Sequence, residues 1–162
     1  MEKTLKFVYN SHRLSLLLKL ISHLASLASV AAFIYMFFAL WYESFFSVLR
    51  LCLVCGVPFL LVTLLRRFID APRPYELYGF YILPPKDRRG RSFPSRHAYS
   101  AFSIGTCLCY LSPVAGAALL VLAALLCVAR VLLGIHFIRD VLAGAAIGVV
   151  SALLGVLIIS PF

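Results

Sequence analysis

Three short clusters bring guanidinium, imidazole and carboxylate groups together at fixed spacings: Arg66 with Arg73-Pro74, Pro94-Ser95-Arg96-His97, and Arg130 with His136 and Asp140. An arginine presents a planar fork of donors that stays ionised, and several converging on one dianion neutralise it while fixing its orientation. Arg66, Arg73 and Arg130 are therefore candidates for a phosphate cradle. His136 and Asp140 are four residues apart, so on a helix they face the same way. That geometry lets the carboxylate hold one imidazole nitrogen and leave the other free for attack. Pro94-Ser95-Arg96-His97 directly precedes an apolar run, which places Ser95 and free amide donors at a helix start, where anions bind favourably. His97 then stands beside the bound anion, and Arg96 adds a further contact. A plain N-cap role for Ser95 is compatible with this.

Taken singly, some of these residues have ordinary explanations. Arg66 and Arg67 are the kind of basic pair that flanks the end of a membrane span. Arg130 is harder to dismiss, because it sits near the end of an otherwise apolar stretch, where an unpaired guanidinium is costly and marks a site.

The elements that must position these groups follow from composition. Of 162 residues, 63% are hydrophobic and only 13% charged, too apolar for an ordinary soluble domain. The chain reads as an integral membrane protein, with length for one domain spanning residues 1–162. Crossing the hydrocarbon core takes about 20 apolar residues. Five stretches qualify: Ile21 to Trp41, Phe45 to Leu65, His97 to Leu111, Ala115 to Leu133 and Asp140 to Ile159, the third being short. The runs are continuous and rich in Leu and Ala, not alternating, so the expected fold is an all-α polytopic bundle and not a barrel. The first stretch follows a long lead and lacks a small-x-small cleavage site, so it reads as a retained span. Ahead of it, Leu14, Leu17, Leu18 and Ile21 fall at helical spacing among His12, Arg13 and Lys19. This suits either an interfacial helix or an extension of the first span.

The five cysteines all lie in predicted spans. Cys52-x2-Cys55 has metal-like spacing, but there is no second such pair and no nearby histidine, so buried apolar packing is expected and no metal. The formal charge of +9 is concentrated in residues 66–96, where eight basic side chains face Asp70, Glu76 and Asp87. A nucleic-acid binder carries its charge on a soluble face; here the expected partners are anionic lipid headgroups and the bilayer, with no nucleic acid.

Counting spans, the chain crosses twice before Arg66, twice between His97 and His136, and once after Asp140. All three clusters therefore fall on one membrane face. Pro72 and Pro74 end any helix continuing from the second span. Residues from Tyr75 to Phe93, with Gly79, Pro84, Pro85 and Gly90, read as a loop. Gly134 is expected to break the fourth span from the fifth, so that Arg130 and His136 converge across a non-helical spacing.

Written with spacings, the clusters are R-x6-R-P, P-S-R-H and R-x5-H-x3-D. They resemble the three-part signature of the type-2 phosphatidic-acid phosphatase superfamily, shared with vanadium haloperoxidases. The chain departs from it in having Arg66 where Lys is usual, Arg96 where Gly is usual, and Ala129 where Ser usually precedes the arginine. The resemblance implies a membrane lipid phosphatase working through a phosphohistidine. His136, oriented by Asp140, attacks phosphorus; His97 protonates the leaving oxygen and later acts as base; Arg66, Arg73, Ser95, Arg96 and Arg130 hold the phosphate, without metal or cofactor. An isoprenoid diphosphate, phosphatidylglycerophosphate or phosphatidate would each serve as substrate. A phosphotransferase using the same site, or a non-enzymatic basic membrane scaffold or permease, are the alternatives.

Sidedness draws two arguments apart. Lys3, Lys6, Arg13 and Lys19 share a face with the loop from Arg66 to Arg96, which by the positive-inside rule is cytoplasmic. The resembled family works on the extracytoplasmic face, and its phosphate-binding arginines are functional and not topogenic. Discounting those arginines does not excuse the N-terminal lysines, so the side is left open with a lean to the extracytoplasmic face.

Overall fold

The computed structural model describes residues 1–80 and 90–159, the last two by backbone alone. Among the described residues seven helices follow one another: α1 (Glu2–Asn10), α2 (His12–Glu43), α3 (Phe45–Ile69), α4 (Pro74–Tyr78), α5 (Arg96–Leu111), α6 (Pro113–Leu132) and α7 (Ile138–Ile159). Within hydrocarbon every backbone polar group must be satisfied internally, and a helix does this within its own segment. Helices α2, α3, α6 and α7 are each long and apolar enough to cross a membrane. The polytopic helical fold expected from composition is what the chain adopts.

Helix α5 is the exception in length. Its 16 residues reach about 24 Å at 1.5 Å per residue, against a hydrocarbon core of about 30 Å. It packs against α7 and α6 most extensively, and against α2 and α3. Ala98, Tyr99, Ala101, Ser103, Ile104, Gly105, Thr106, Cys107 and Leu108 are buried along it. Being surrounded by protein, it can carry Ser103 and Thr106 where a lipid-facing helix would need aliphatic groups.

Turns at the end away from the clusters are as short as they can be. Ser44 alone separates α2 from α3 and its Oγ accepts from the Phe46 amide at 3.2 Å. Ser112 alone separates α5 from α6, with Pro113 at the first helical position, where its missing N–H costs nothing. These tight hairpins return the chain to the same end each time, so the three clusters gather there.

Of the two readings left open for the segment from His12 to Leu20, the structure takes the extension of the first span, since the segment belongs to α2, and a short amphipathic helix, α1, precedes it. Leu5 and Val8 of α1 are buried, and Val8 packs with Leu18, Ala129, Leu133 and Ile135 over the turn that carries His136. The expected loop from Tyr75 to Phe93 contains the short helix α4, while residues 81–89, including Pro84 and Pro85, lie outside the described residues.

Close helix contacts set the site's position. A Cβ added at Gly144 on α7 would run into the Ser95 carbonyl oxygen, and one at Gly148 would meet the Tyr99 carbonyl oxygen at 2.6 Å. Without side chains there, α7 lies directly on the first turns of α5. Overpacking of this kind costs about 1–3 kcal/mol. Gly144→Ala is therefore expected to lower the thermal midpoint in detergent. Gly56→Ala, where an added Cβ meets nothing within 4 Å, should leave the midpoint unchanged or raise it, since Ala is the better helix former.

Candidate active site

Each cluster is held by a different helix end. Arg66 lies in the last turn of α3, Arg96 and His97 open α5, Arg130 lies in the last turn of α6, and Asp140 lies in the first turn of α7. Gly134, at φ 72, makes the break expected between α6 and α7. The Ile135 amide donates to the Arg130 carbonyl at 3.0 Å, which turns the chain back on itself and brings His136 beside Arg130.

The arginines tie the loops together. Buried Arg66 donates from Nη1 to the Pro94 carbonyl at 2.7 Å and to the Ser92 carbonyl at 3.3 Å. Arg73 donates from Nε to the Gly90 carbonyl at 3.2 Å and from Nη1 to the Ile135 carbonyl at 3.3 Å. Glu76 closes this arrangement, accepting from the Arg73 amide at 2.9 Å and, through Oε1, from the Gly90 amide at 2.9 Å. Among the described residues, Arg130 Nε is buried without a hydrogen-bond partner.

These groups face one cavity of about 470 Å³, lined by Arg66, Arg73, Arg96, Arg130, His97 and His136 and, from α2, by Lys19, Ser22, His23 and Ser26. Among the described residues, no carboxylate lines it. It shares Ser26, Arg96 and His97 with a second cavity of about 500 Å³, whose other walls include Val30, Phe33, Phe59, Ile104 and Leu126. A cationic chamber thus opens into an apolar groove between α2 and α5.

Of the residues singled out from sequence, six line the chamber and two do not. Ser95 has no exposed surface, and its Oγ accepts from the Ala98 amide at 3.4 Å, so it is the N-cap of α5. Its amide donates to the Asp140 carbonyl at 2.9 Å. Asp140 is also fully buried, behind His136.

The expected pairing of Asp140 with His136 is present at ion-pair distance and is accompanied by a serine bridge. Helix α7 begins at Ile138, so His136 lies outside it and the four-residue spacing does not act as a helical one. His136 Nδ1 stands 3.6 Å from Asp140 Oδ2, longer than a hydrogen bond. Ser92 sits beside the pair and touches both members: its Oγ is 3.2 Å from Nδ1 and donates to Asp140 Oδ2. The Phe137 amide donates to the same oxygen at 2.9 Å, and Arg139 Nε lies 3.6 Å from Oδ1.

Several site residues were not apparent from sequence. Lys19, Ser22, His23 and Ser26 fall at i, i+3, i+4 and i+7, a single helix face whose polar pattern was a readable signal. Tyr75, beside the cradle, carried none beyond its place after Arg73-Pro74. Among the described residues no three His, Cys, Asp or Glu side chains group as metal ligands would. Cys55 neighbours Cys107 instead, at 3.9 Å between sulfurs.

Fold and site together define an all-helical, multi-pass membrane protein with an arginine- and histidine-lined chamber at one end of its bundle. The chain belongs to the PAP2 superfamily, whose sequence pattern matches residues 47–161. It is similar to the first transmembrane PAP2-type phosphatidylglycerolphosphate phosphatase from Bacillus subtilis, at 26% identity and TM-score 0.69 over 95% of this chain and 81% of that one. It is similar also to Aquifex aeolicus LpxE, at 26% identity and TM-score 0.74 over 95% of this chain and 93% of that one. No curated protein sequence matches the chain significantly. Helix α2, with Lys19 and His23, lies outside the part that the superfamily pattern covers.

Burial pushes the His136 imidazole down to about 4, outweighing Asp140, which acts to raise it, while Arg73 and Arg66 push it further down. Histidine in an unfolded chain titrates near about 6.5. Between these values the unfolded chain binds the extra proton, so stability falls as pH drops from about 6.5 toward about 4. Comparing the pH dependence of thermal unfolding for wild type and His136→Gln should show a shallower loss in the variant over that window. Identical slopes would mean that His136 titrates normally in the folded protein.

Proposed function

We propose that the protein is a metal-independent membrane lipid phosphatase that hydrolyses a phosphate monoester or diphosphate headgroup through a phosphohistidine. The observation that carries this reading is the single chamber that gathers Arg66, Arg73, Arg96, Arg130, His97 and His136 and opens into an apolar groove. A phosphoryl group suits the cationic end, and a lipid tail suits the groove. The named relatives, a phosphatidylglycerolphosphate phosphatase and LpxE, support the phosphatase class.

In this mechanism His136 attacks phosphorus from an imidazole kept neutral by burial, as a nucleophile requires. The arginines stabilise charge on the equatorial oxygens without reorganising, since loop carbonyls already hold Arg66 and Arg73 in place. His97, in the zone shared by chamber and groove, stands where a leaving oxygen attached to a lipid would pass. It donates the proton there and takes one from water in the second step, a role typically contributing roughly 10²- to 10⁴-fold. Water then releases phosphate from His136. Arg130, whose buried Nε has no acceptor among the described residues, is the cradle member most in need of the substrate's oxygens. Ser95 acts at one remove, by capping α5 and fixing the turn that presents Arg96 and His97.

Phosphate release from purified protein in detergent, over isoprenoid diphosphate, phosphatidylglycerophosphate and phosphatidate, tests the reading. Turnover of at least one lipid is expected, abolished in His136→Ala, retained appreciably in Arg66→Lys, inhibited by vanadate and indifferent to EDTA. Full activity in His136→Ala, or loss with EDTA restored by a divalent ion, would overturn it.

The chamber is proposed to face the extracytoplasmic side. Lys3 on α1, at the chamber end of the bundle, is exposed. In Lys3→Cys, an impermeant thiol reagent added to intact cells should label the new cysteine; labelling only after lysis would put the chamber in the cytoplasm.

A further inference from the structure

Ser92 lies outside the arginine and histidine clusters, yet its hydroxyl touches two members of the third. It has no exposed surface, like Asp140, and His136 is 2% exposed, so bulk water does not reach the contact. An ionised carboxylate only accepts hydrogen bonds, and a serine hydroxyl has a single proton to give. Asp140 Oδ2 takes that proton's hydrogen bond. The Phe137 amide on the same oxygen and Arg139 near the other both favour the ionised carboxylate. Toward His136 the Ser92 oxygen can then only accept, so Nδ1, at 3.2 Å, must be the nitrogen that carries the proton.

We propose that Ser92 is a positioning residue of the reaction centre, its hydroxyl relaying the Asp140 carboxylate to His136 and fixing the tautomer that leaves Nε2 free to attack phosphorus. This rests on the reading of His136 as nucleophile. The relay is held independently of the hydroxyl, because the Ser92 amide donates to the Ala71 carbonyl at 2.9 Å and the Ser92 carbonyl accepts from Arg66 at 3.3 Å. The hydroxyl is thereby set by the first arginine cluster and used by the third. Its removal in Ser92→Ala keeps both backbone bonds but leaves a buried Nδ1 proton unmatched at 3.6 Å from the carboxylate. Only the carboxylate at 3.6 Å is then left to favour a proton on Nδ1, so the preference for this tautomer weakens, and the other tautomer is not a nucleophile at Nε2.

Kinetics on Ser92→Ala, Asp140→Ala and the double variant, with the lipid that wild type turns over best, separate a relay from two independent contributions. Ser92→Ala is expected to lower kcat about 10- to 100-fold, by analogy with removing the outer partner that orients a metal-ligating histidine, with KM changed less than about threefold. In the double variant, residues acting in one network give non-additive effects, so its kcat should lie within about threefold of Asp140→Ala. Losses that multiply, or wild-type kcat in Ser92→Ala, would overturn the relay. Nitrogen-15 NMR of histidine-labelled protein reads the tautomer without turnover, the His136 signals being those missing in His136→Gln. Protonated Nδ1 is expected in wild type and a shift toward protonated Nε2 in Ser92→Ala; protonated Nε2 in wild type, or no change in the variant, would overturn the proposal. A wild type that hydrolyses no lipid phosphate yet shows the expected tautomers would sink the phosphatase reading and leave the relay standing.

Discussion

A fully buried carboxylate is the constraint on which the rest of the site depends. Burying an unpaired charge costs several kcal/mol, so the group must be surrounded by donors or it neutralises. Asp140 Oδ2 is met by the Ser92 hydroxyl and the Phe137 amide, while Oδ1 has no hydrogen-bond partner among the described residues and faces only the Arg139 guanidinium at 3.6 Å. It also sits in the first turn of α7, where the helix dipole favours an anion. Its own backbone carbonyl receives the Ser95 amide, so one residue joins the loop after the first arginine cluster, the cap of α5 and the turn bearing His136. The glycines at 144 and 148 serve this arrangement, because any side chain there would push α7 off α5 and pull the carboxylate away from Ser92 and Ser95.

The arginines answer the same electrostatic problem from the other side. Several guanidinium groups around one chamber repel one another unless something anionic or strongly dipolar lies between them. Carbonyl oxygens of residues 90, 92, 94 and 135 fill part of that role for Arg66 and Arg73. These bonds fix the forks before any ligand arrives, which is the condition for electrostatic stabilisation without reorganisation. Among the described residues Arg130 Nε has no such acceptor.

Much of this was legible in the chain because hydrophobic length counts passes, and the pass count alone decides which clusters share a face. The hairpins at Ser44 and Ser112 were legible too, since nothing but a turn fits between two such apolar runs. Helix α5 departs from the simple rule. It is short and carries buried hydroxyls because its neighbours are helices, and hydropathy measures affinity for lipid and not for protein. Reading the His136 to Asp140 spacing as a helical pair failed at one particular place. Gly134 was expected to break the helix, but where α7 restarts depends on Asp140 catching the Phe137 amide, a cap that the spacing alone does not reveal. Ser92 was hidden for a different reason: its partners lie 44 and 48 residues away, and a serine in a basic loop has no local pattern that distinguishes it.

Helix α2 adds what the superfamily pattern does not cover. Its 32 residues reach about 48 Å at 1.5 Å per residue, well beyond a hydrocarbon core of about 30 Å, so one end must project past the apolar zone. The hairpin at Ser44 fixes the far end, which leaves the projecting turns at the chamber, where Lys19 and His23 line the wall. One turn deeper, Ser26 lines both the chamber and the groove, and beyond it Val30 and Phe33 line the groove alone. A single helix face thus grades from cationic through hydroxyl to apolar along its axis. That gradient matches an amphiphile lying parallel to α2, with its headgroup among the arginines and its tail on the side of the bundle where lipid can reach it. An entry route from the bilayer, and not from water, is what such a wall would favour, because a tail entering from the chamber end would have to pass every cation before reaching an apolar surface.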